Sequence, residues 1–208
     1  MKLEQYLPVT LTAPGLTEAE FLDICSEFPD CFLEYTSEGT VLVESFVDIE
    51  SSARVARISV GLAEWSNADG RGIVTGPDGG FFFPDGSRRS PDAAWFDAAR
   101  WKAAKTSQSR FPVFAPEFLI EVRSPGQRAA PLREKMREYM DNGVQLGWLI
   151  DPQERTVSIY RPGREPEVLM EPRSVAGEGP VAGFVLSLDG ILQRPLPDGR
   201  GSVAESKV

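Results

Sequence analysis

Apolar residues recur three or four positions apart in three stretches of the chain, which is the spacing of one helix face. Thr17 and Glu20 have the spacing of a capping box, and the apolar residues behind them predict a first helix that runs to Pro29. A second stretch of this kind predicts a helix over 51–65, and a third predicts a helix over 131–142. The pattern therefore predicts three amphipathic helices, each burying one face.

Shorter apolar or alternating runs, bounded by turn residues, predict β-strands between and after these helices. Residues 98–114 are polar, basic and weakly periodic, and they predict a loop or a fragment of helix. The mixture predicts a single α/β domain over residues 1–194, with a mixed central β-sheet flanked by helices, and a flexible, turn-rich tail at 195–208. The predicted strands are residues 32–35, 41–43, 72–75, 80–83, 92–96, 118–122, 146–150, 156–160, 166–170 and 183–188.

The composition is that of an ordinary globular protein, with 41% hydrophobic and 25% charged residues in a chain of 208. No run approaches the roughly 20 apolar residues that span a bilayer. The segment that begins at Met1 lacks the apolar core of a signal peptide. Two cysteines, Cys25 and Cys31, give no sign of a disulfide scaffold. These features predict a cytoplasmic protein that does not enter a membrane.

The sequence contains no histidine. This excludes Ser-His-Asp and Cys-His triads, as well as zinc sites and nucleases that depend on histidine ligands. General acid or base chemistry must then come from Asp, Glu, Lys, Arg or Tyr side chains, or from a metal-bound water.

The net charge of -9, from 22 basic and 31 acidic residues, argues against a nucleic-acid binder when the chain is taken as a whole. The charge is unevenly distributed, because residues 1–90 hold 6 basic and 15 acidic side chains. Residues 100–137 hold nine basic and only three acidic side chains. This basic stretch predicts contacts with nucleic-acid phosphates from Arg110, Arg128 and Arg133.

Strand alternation around position 121 places Glu117, Glu121 and Arg123 on one face. If the earlier strand that starts at Asp92 pairs with this strand, the carboxylates of Asp92 and Glu121 meet. Two such carboxylates repel each other unless a divalent cation or a shared proton lies between them. Oxygen ligands without histidine or thiolate favour Mg²⁺ or Mn²⁺. Arg123, or Lys135 at the edge of the apolar stripe of the third helix, would then supply positive charge beside a phosphate.

Each of these residues alone also fits a structural role. Pro91-Asp92 is a common turn signal, Glu121 and Arg123 could form a solvated pair, and Lys135 could be an ordinary charge at the helix rim. The order of strand, strand and helix, together with the basic stretch, favours the functional interpretation.

The same residues lie in a series of motifs whose order is that of a known family. The motifs are Ser90-Pro91-Asp92-Ala93-Ala94-Trp95, Pro116-Glu117-Phe118-Leu119-Ile120-Glu121-Val122-Arg123-Ser124-Pro125, Glu134-Lys135-Met136-Arg137-Glu138-Tyr139, Gly143-Val144 and Trp148-Leu149-Ile150-Asp151-Pro152. The series resembles the Uma-type restriction endonuclease family, a branch of the PD-(D/E)XK nuclease superfamily, over roughly residues 16–192. The resemblance implies a restriction-endonuclease-like core and metal-dependent hydrolysis of DNA phosphodiester bonds.

The resemblance also implies roles for individual positions. Asp92 and Glu121 match the two metal-binding carboxylates of the family, and Glu34 resembles an additional acidic residue that completes the metal site. Lys135 matches the catalytic lysine that the family carries on the following helix, whereas Arg123 stands where the original superfamily pattern has lysine. The implied cofactor is Mg²⁺ or Mn²⁺, and the implied partner is DNA. Many members have a histidine near the start of the second helix, which is absent here. A homodimer is expected by analogy with nucleases that cut both strands.

Two other functions stay open on the sequence alone. A catalytically silent nuclease-fold protein that acts by interaction is favoured by the negative net charge and by the lack of a DNA-reading motif. A nuclease that acts on RNA or on another phosphodiester would carry the same motifs.

Overall fold

The computed structural model describes residues 9–29, 31–44, 47–105 and 112–192, and these form thirteen β-strands and four α-helices. In chain order the elements are β1 (Val9–Thr12), α1 (Glu18–Glu27), β2 (Phe32–Tyr35), β3 (Thr40–Glu44), α2 (Ile49–Asp69), β4 (Gly72–Thr75), β5 (Phe81–Phe82), β6 (Arg88–Arg89), β7 (Ala93–Asp97), α3 (Ala98–Ala104), β8 (Phe118–Val122), α4 (Ala129–Asp141), β9 (Leu146–Asp151), β10 (Thr156–Tyr160), β11 (Glu167–Met170), β12 (Ser174–Ala176) and β13 (Val185–Ser187).

A mixed six-stranded sheet in the order β11-β10-β9-β8-β7-β4 carries the larger part of the core. β8 and β9 are parallel, with Phe118 opposite Leu146, whereas the other neighbouring pairs are antiparallel. Parallel strands require a crossover, and α4 provides it. β7 pairs with β8 so that Ala93 lies opposite Ile120. The start of β7 is therefore next to the end of β8.

α2 and α4 cover opposite faces of this sheet, because alternate residues of a strand point to opposite sides. Ile120 packs on the same side as Ile58 of α2. Leu119, the residue before it, packs on the same side as Met136 of α4. No helix in the described ranges has the length and apolar character needed to cross a membrane.

A smaller sheet in the order β1-β3-β2-β6-β5 packs against α1. Its strands pair antiparallel, and Tyr35 of β2 lies opposite Arg88 of β6. Phe21 of α1 and Val41 of β3 are buried in its core. Because only residues 90–92 separate β6 from β7, this sheet lies close to the end of β8.

The three predicted helices are confirmed, with bounds shifted by a few residues. α1 has the predicted capping box, in which Thr17 Oγ1 accepts from the Glu20 backbone N–H at 3.3 Å and Glu20 Oε2 accepts from the Thr17 N–H at 2.9 Å. α2 begins earlier than predicted because Asp48 caps it by accepting from the Ser51 N–H at 2.9 Å. It ends at Gly70, whose φ of 76° is favoured by glycine.

The ten predicted strands and the mixed α/β arrangement are also confirmed. α3 is the fragment of helix expected within residues 98–114, of which residues 106–111 lie outside the described residues. β6 and β12 are additional strands of two and three residues, too short for a period-two apolar pattern to be visible. β1 is a further strand absent from the prediction, although Val9 and Leu11 alternate with threonines in it. The predicted flexible tail at 195–208 also lies outside the described residues, and a single domain over 1–194 stays a prediction.

Candidate active site

Glu121 is an acidic residue inside a strand whose other members are apolar. All five residues of β8 are buried. Alternation along the strand turns Glu121 toward α4, where Tyr139 Oη donates a hydrogen bond to Glu121 Oε1 at 2.7 Å. Burial raises the pKa of Glu121, although the positive charge of Lys135 opposes the shift. A buried carboxylate of this kind requires a charged or hydrogen-bonding partner.

Asp92 reaches the same point from the neighbouring strand. It directly precedes β7, and the pairing of Ala93 with Ile120 places it beside the end of β8. Its Oδ2 accepts a hydrogen bond from the backbone N–H of Val122 at 2.7 Å. Burial and the negative charge of Glu121 raise the pKa of Asp92 to about 8. The two carboxylates therefore form a buried pair that is costly to ionise fully unless a cation lies between them.

Lys135 brings positive charge to this pair from α4. Its Nζ lies 2.9 Å from Glu121 Oε1 and 2.8 Å from Glu34 Oε1. Burial alone would lower the pKa of Lys135, but the carboxylates of Glu121 and Glu34 raise it above the ordinary value for lysine. Lys135 is therefore charged and bridges two carboxylates that come from different sheets.

Glu34 belongs to β2 in the smaller sheet and is buried. Besides Lys135, its Oε1 accepts from the backbone N–H of Ser90 at 2.9 Å, and its Oε2 accepts from Arg89 Nη1 at 3.2 Å. Burial alone would raise the pKa of Glu34, but Lys135 and Arg89 hold it below the ordinary value for glutamate. The two sheets and α4 thus meet around one set of charged side chains.

Three residues of this cluster, Arg89, Glu138 and Tyr139, have no predicted role. Arg89 Nε donates to Glu138 Oε1 at 2.8 Å, and Arg89 Nη2 donates to Glu138 Oε2 at 2.5 Å. Glu138 and Tyr139 follow Lys135 by three and four residues, which is the spacing of neighbours on one helix face. The sequence therefore indicates that Glu138 and Tyr139 lie beside Lys135 on the helix. Arg89 has no comparable signal, because a strand of two residues shows no periodicity.

Two carboxylate oxygens of the cluster remain available to a ligand. Glu121 Oε1 contacts Tyr139 and Lys135, and Asp92 Oδ2 accepts from the Val122 N–H. Among the described residues, no donor reaches Glu121 Oε2 or Asp92 Oδ1. Oxygen donors with excess negative charge are the chemistry that Mg²⁺ and Mn²⁺ bind, so the pair fits a divalent cation. Within the described ranges, no group of three or more Asp, Glu, His or Cys side chains is arranged to hold a metal ion. Mg²⁺ commonly takes one or two carboxylates and keeps several waters.

Arg123 lies outside this cluster. Because β8 ends at Val122, the Arg123 side chain turns toward the following loop, where its Nε donates to the Gln127 carbonyl at 2.8 Å. Its Nη1 lies 2.9 Å from Asp151 Oδ2 at the end of β9. These contacts tie the ends of two neighbouring strands together, and the predicted catalytic role of Arg123 stays a prediction.

Two of the predicted phosphate contacts lie on the exposed side of α4. Arg128 directly precedes the first residue of the helix, and Arg133 lies in the second turn. Both side chains are exposed, as is that of Arg137. Arg110, the third predicted contact, lies outside the described residues. α4 therefore presents arginines outward while its inner face carries Lys135.

The sequence and the fold were compared with known proteins. A sequence model of the Uma2 family, described as "Putative restriction endonuclease", matches residues 18–189. No curated protein matches the chain. Among solved structures, the chain is similar to a crystal structure described as "a putative nuclease belonging to DUF820" from Anabaena variabilis, with a TM-score of 0.65 and 25% identity. That similarity covers 77% of this chain and 89% of the other. The chain therefore belongs to the Uma2 family and has a nuclease-like, restriction-endonuclease-related fold.

Proposed function

We propose that this protein is a metal-dependent endonuclease that hydrolyses phosphodiester bonds of DNA. Membership of the Uma2 family supports a nuclease. The observation that carries the metal dependence is the buried pair of Asp92 and Glu121 beside the charged Lys135. Each carboxylate of the pair has one oxygen that no donor in the described part of the chain reaches.

The two carboxylates would hold Mg²⁺ or Mn²⁺ through Asp92 Oδ1 and Glu121 Oε2. The bound cation would lower the pKa of a water and polarise a phosphate oxygen. Lys135 would orient the attacking water or offset negative charge at the scissile phosphate, since its ammonium lies 2.9 Å from Glu121. Glu34 is the predicted third ligand, and in the described state its oxygens accept from Lys135, Ser90 and Arg89.

Nucleic-acid binding is assigned to the basic stretch. Arg128 and Arg133 on α4, together with Arg110, would contact backbone phosphates, which are recognised chiefly by positive side chains. Arg123 ranks below Lys135 as the catalytic cation because its guanidinium is bound to Asp151.

Cleavage assays on duplex DNA, single-stranded DNA and RNA, with Mg²⁺ or with EDTA, test the proposal. We expect Mg²⁺-dependent cutting of DNA that is abolished in Asp92→Asn and in Glu121→Gln. Glu117→Gln is a matched control, because Glu117 is buried at the start of the same strand face but pairs with Arg100. Undiminished cutting by the Asp92 and Glu121 variants would show that the site is elsewhere. Cutting of RNA alone would change the substrate and leave the site assignment intact.

A catalytically silent protein that acts by interaction is the second candidate, and the net charge of -9 favours it. A Mn²⁺ titration distinguishes the two functions, because the silent protein has no need of a metal. A cytoplasmic location and a homodimer stay predictions.

A further inference from the structure

Glu34 is fixed by donors on both of its oxygens. Oε1 accepts from the Ser90 backbone N–H at 2.9 Å and from Lys135 Nζ at 2.8 Å, while Oε2 accepts from Arg89 Nη1 at 3.2 Å. Since each oxygen has its own donors, the carboxylate cannot rotate without losing one of them. Glu34 therefore points a defined oxygen at Lys135.

Arg89 is in turn held by Glu138. Its side chain is 5% exposed, and two guanidinium nitrogens donate to the two oxygens of Glu138 in a fork-to-fork arrangement. The remaining nitrogen, Nη1, is thereby directed at Glu34. Glu138 lies three residues after Lys135 on α4. The helix that carries the lysine thus also carries the residue that fixes Arg89.

We propose that Arg89, Glu138 and Glu34, here called the Arg89 clamp, are positioning residues for Lys135. The clamp fixes Glu34, and Glu34 together with Glu121 holds the lysine ammonium between the two sheets. In this arrangement Glu34 anchors Lys135, and the metal is left to Asp92 and Glu121. This inference rests on the proposed function, because it gives the clamp a purpose in nuclease chemistry.

The balance of charges supports the clamp. Arg89 and Glu138 neutralise each other, which leaves one negative charge on Glu34 to pair with Lys135. Lys135 is shared between Glu34 and Glu121, and Asp92 has no ion-pair partner among the described residues. Without Arg89, Lys135 would be the main positive charge for the carboxylates of Glu34, Glu138 and Glu121, and its position would no longer be defined by Glu34 and Glu121.

NMR of the full chain, labelled with ¹⁵N-lysine and kept in EDTA, tests the proposal through the signals of the lysine ammonium groups. The sequence has five lysines, and Lys102 and Lys105 are exposed, so their ammonium protons exchange rapidly with water. We expect one slowly exchanging ammonium signal that is absent in Lys135→Arg. Glu34→Gln and Glu138→Gln should lose that signal while they still bind Mn²⁺ in a titration of the same samples. Glu117→Gln, which removes a buried glutamate outside the clamp, should keep it.

Two outcomes overturn the proposal. If Glu138→Gln keeps the Lys135 signal while its unfolding midpoint falls, the Arg89 and Glu138 pair only holds α4 against β6. If Glu34→Gln loses Mn²⁺ binding as Asp92→Asn does, Glu34 is a metal ligand rather than an anchor. The double variant Arg89→Gln with Glu138→Gln removes both charges together and gives the same readout if the single variant does not fold.

Cleavage kinetics provide an independent readout. Loss of the anchor should lower kcat and leave KM unchanged, because the clamp acts on the reacting group and not on substrate binding. A rise in KM with kcat unchanged would contradict the positioning role. If the wild-type protein cuts no nucleic acid at all, the proposed function fails, whereas the NMR result needs no substrate and still decides whether the clamp holds Lys135.

Discussion

Tyr139 donates its phenolic hydrogen bond to Glu121 Oε1 at 2.7 Å, the same oxygen that lies 2.9 Å from Lys135 Nζ. The two donors are four residues apart on one face of α4, so they approach Glu121 together. Burial and the negative charge of Glu121 raise the pKa of Tyr139 well above its ordinary value, which keeps the phenol protonated and able to donate. Tyr139 thereby helps to fix the orientation of the Glu121 carboxylate, in which Oε1 accepts both contacts.

Replacing Tyr139 with phenylalanine removes this hydrogen bond and retains the ring, which packs 5.4 Å from the ring of Phe83. We expect the free energy of unfolding to fall by about 1.5–3 kcal/mol, the usual contribution of a hydrogen bond to a charged group. Mn²⁺ binding should weaken because Glu121 can then rotate. Urea unfolding and a Mn²⁺ titration measure the two effects. Tyr160→Phe, in the same core but outside the cluster, is the control, and equal losses in both variants would contradict a specific role for Tyr139.

The buried Asp92 gives the metal-free protein a pH-dependent stability. Its pKa is raised from 3.8 to about 8 by burial and by the negative charge of Glu121, so the folded state binds this proton more tightly than the unfolded chain. The resulting stabilisation is fully present below the unfolded pKa and is lost as the pH rises through about 8. We therefore expect the free energy of unfolding of the wild type to fall relative to that of Asp92→Asn as the pH increases. Urea unfolding in EDTA across this range measures it, and parallel curves would contradict the raised pKa.

Much of the central sheet could be predicted from the sequence, since its strands are continuous apolar runs bounded by turns. The sequence leaves open whether the strand after Asp92 pairs with the strand of Glu121, and the structure shows this pairing between β7 and β8. Alternation also placed Arg123 on the face of Glu121, but β8 ends one residue earlier, and beyond the strand the alternation no longer applies.

The Arg89 clamp could not be predicted in the same way. Arg89 comes from β6 and Glu34 from β2, both in the smaller sheet, whereas Glu138 comes from α4. Arg89 connects Glu34 with Glu138, two positions far apart in the sequence that no local pattern links. In the sequence, only the resemblance to a known family points to Glu34. Ionic contacts of this kind depend on how the two sheets are placed against each other, which periodicity within single elements does not encode.

Gly72 allows a test of the packing against β7, the strand that directly follows Asp92. A Cβ at this position would lie 2.1 Å from the buried ring of Trp95, which also donates to Ser66 Oγ at 3.0 Å and therefore cannot move freely. We expect Gly72→Ala to lower the free energy of unfolding by about 1–3 kcal/mol, as overpacked cores do. Gly76→Ala is the matched control, since its nearest neighbour would be Ser59 Oγ at 3.9 Å. Thermal and urea unfolding compare the two variants, and similar midpoints would show that the Trp95 ring yields.

The exposed arginines of α4 can be tested through the salt dependence of nucleic-acid binding. Each side chain that contacts a backbone phosphate releases condensed counterions, so replacing Arg128 and Arg133 together with glutamine should weaken binding and reduce the slope of log Kd against log salt by about 2. Mn²⁺ affinity should stay unchanged, because both side chains lie on the outer side of α4 whereas Lys135 is turned inward. Arg57→Gln is the control, since Arg57 is exposed on α2, on the opposite face of the six-stranded sheet. Fluorescence anisotropy with a labelled DNA duplex in EDTA measures the slopes without cutting. An unchanged slope in the α4 variant, or an equal change in the α2 control, would place the nucleic acid on another surface of the protein.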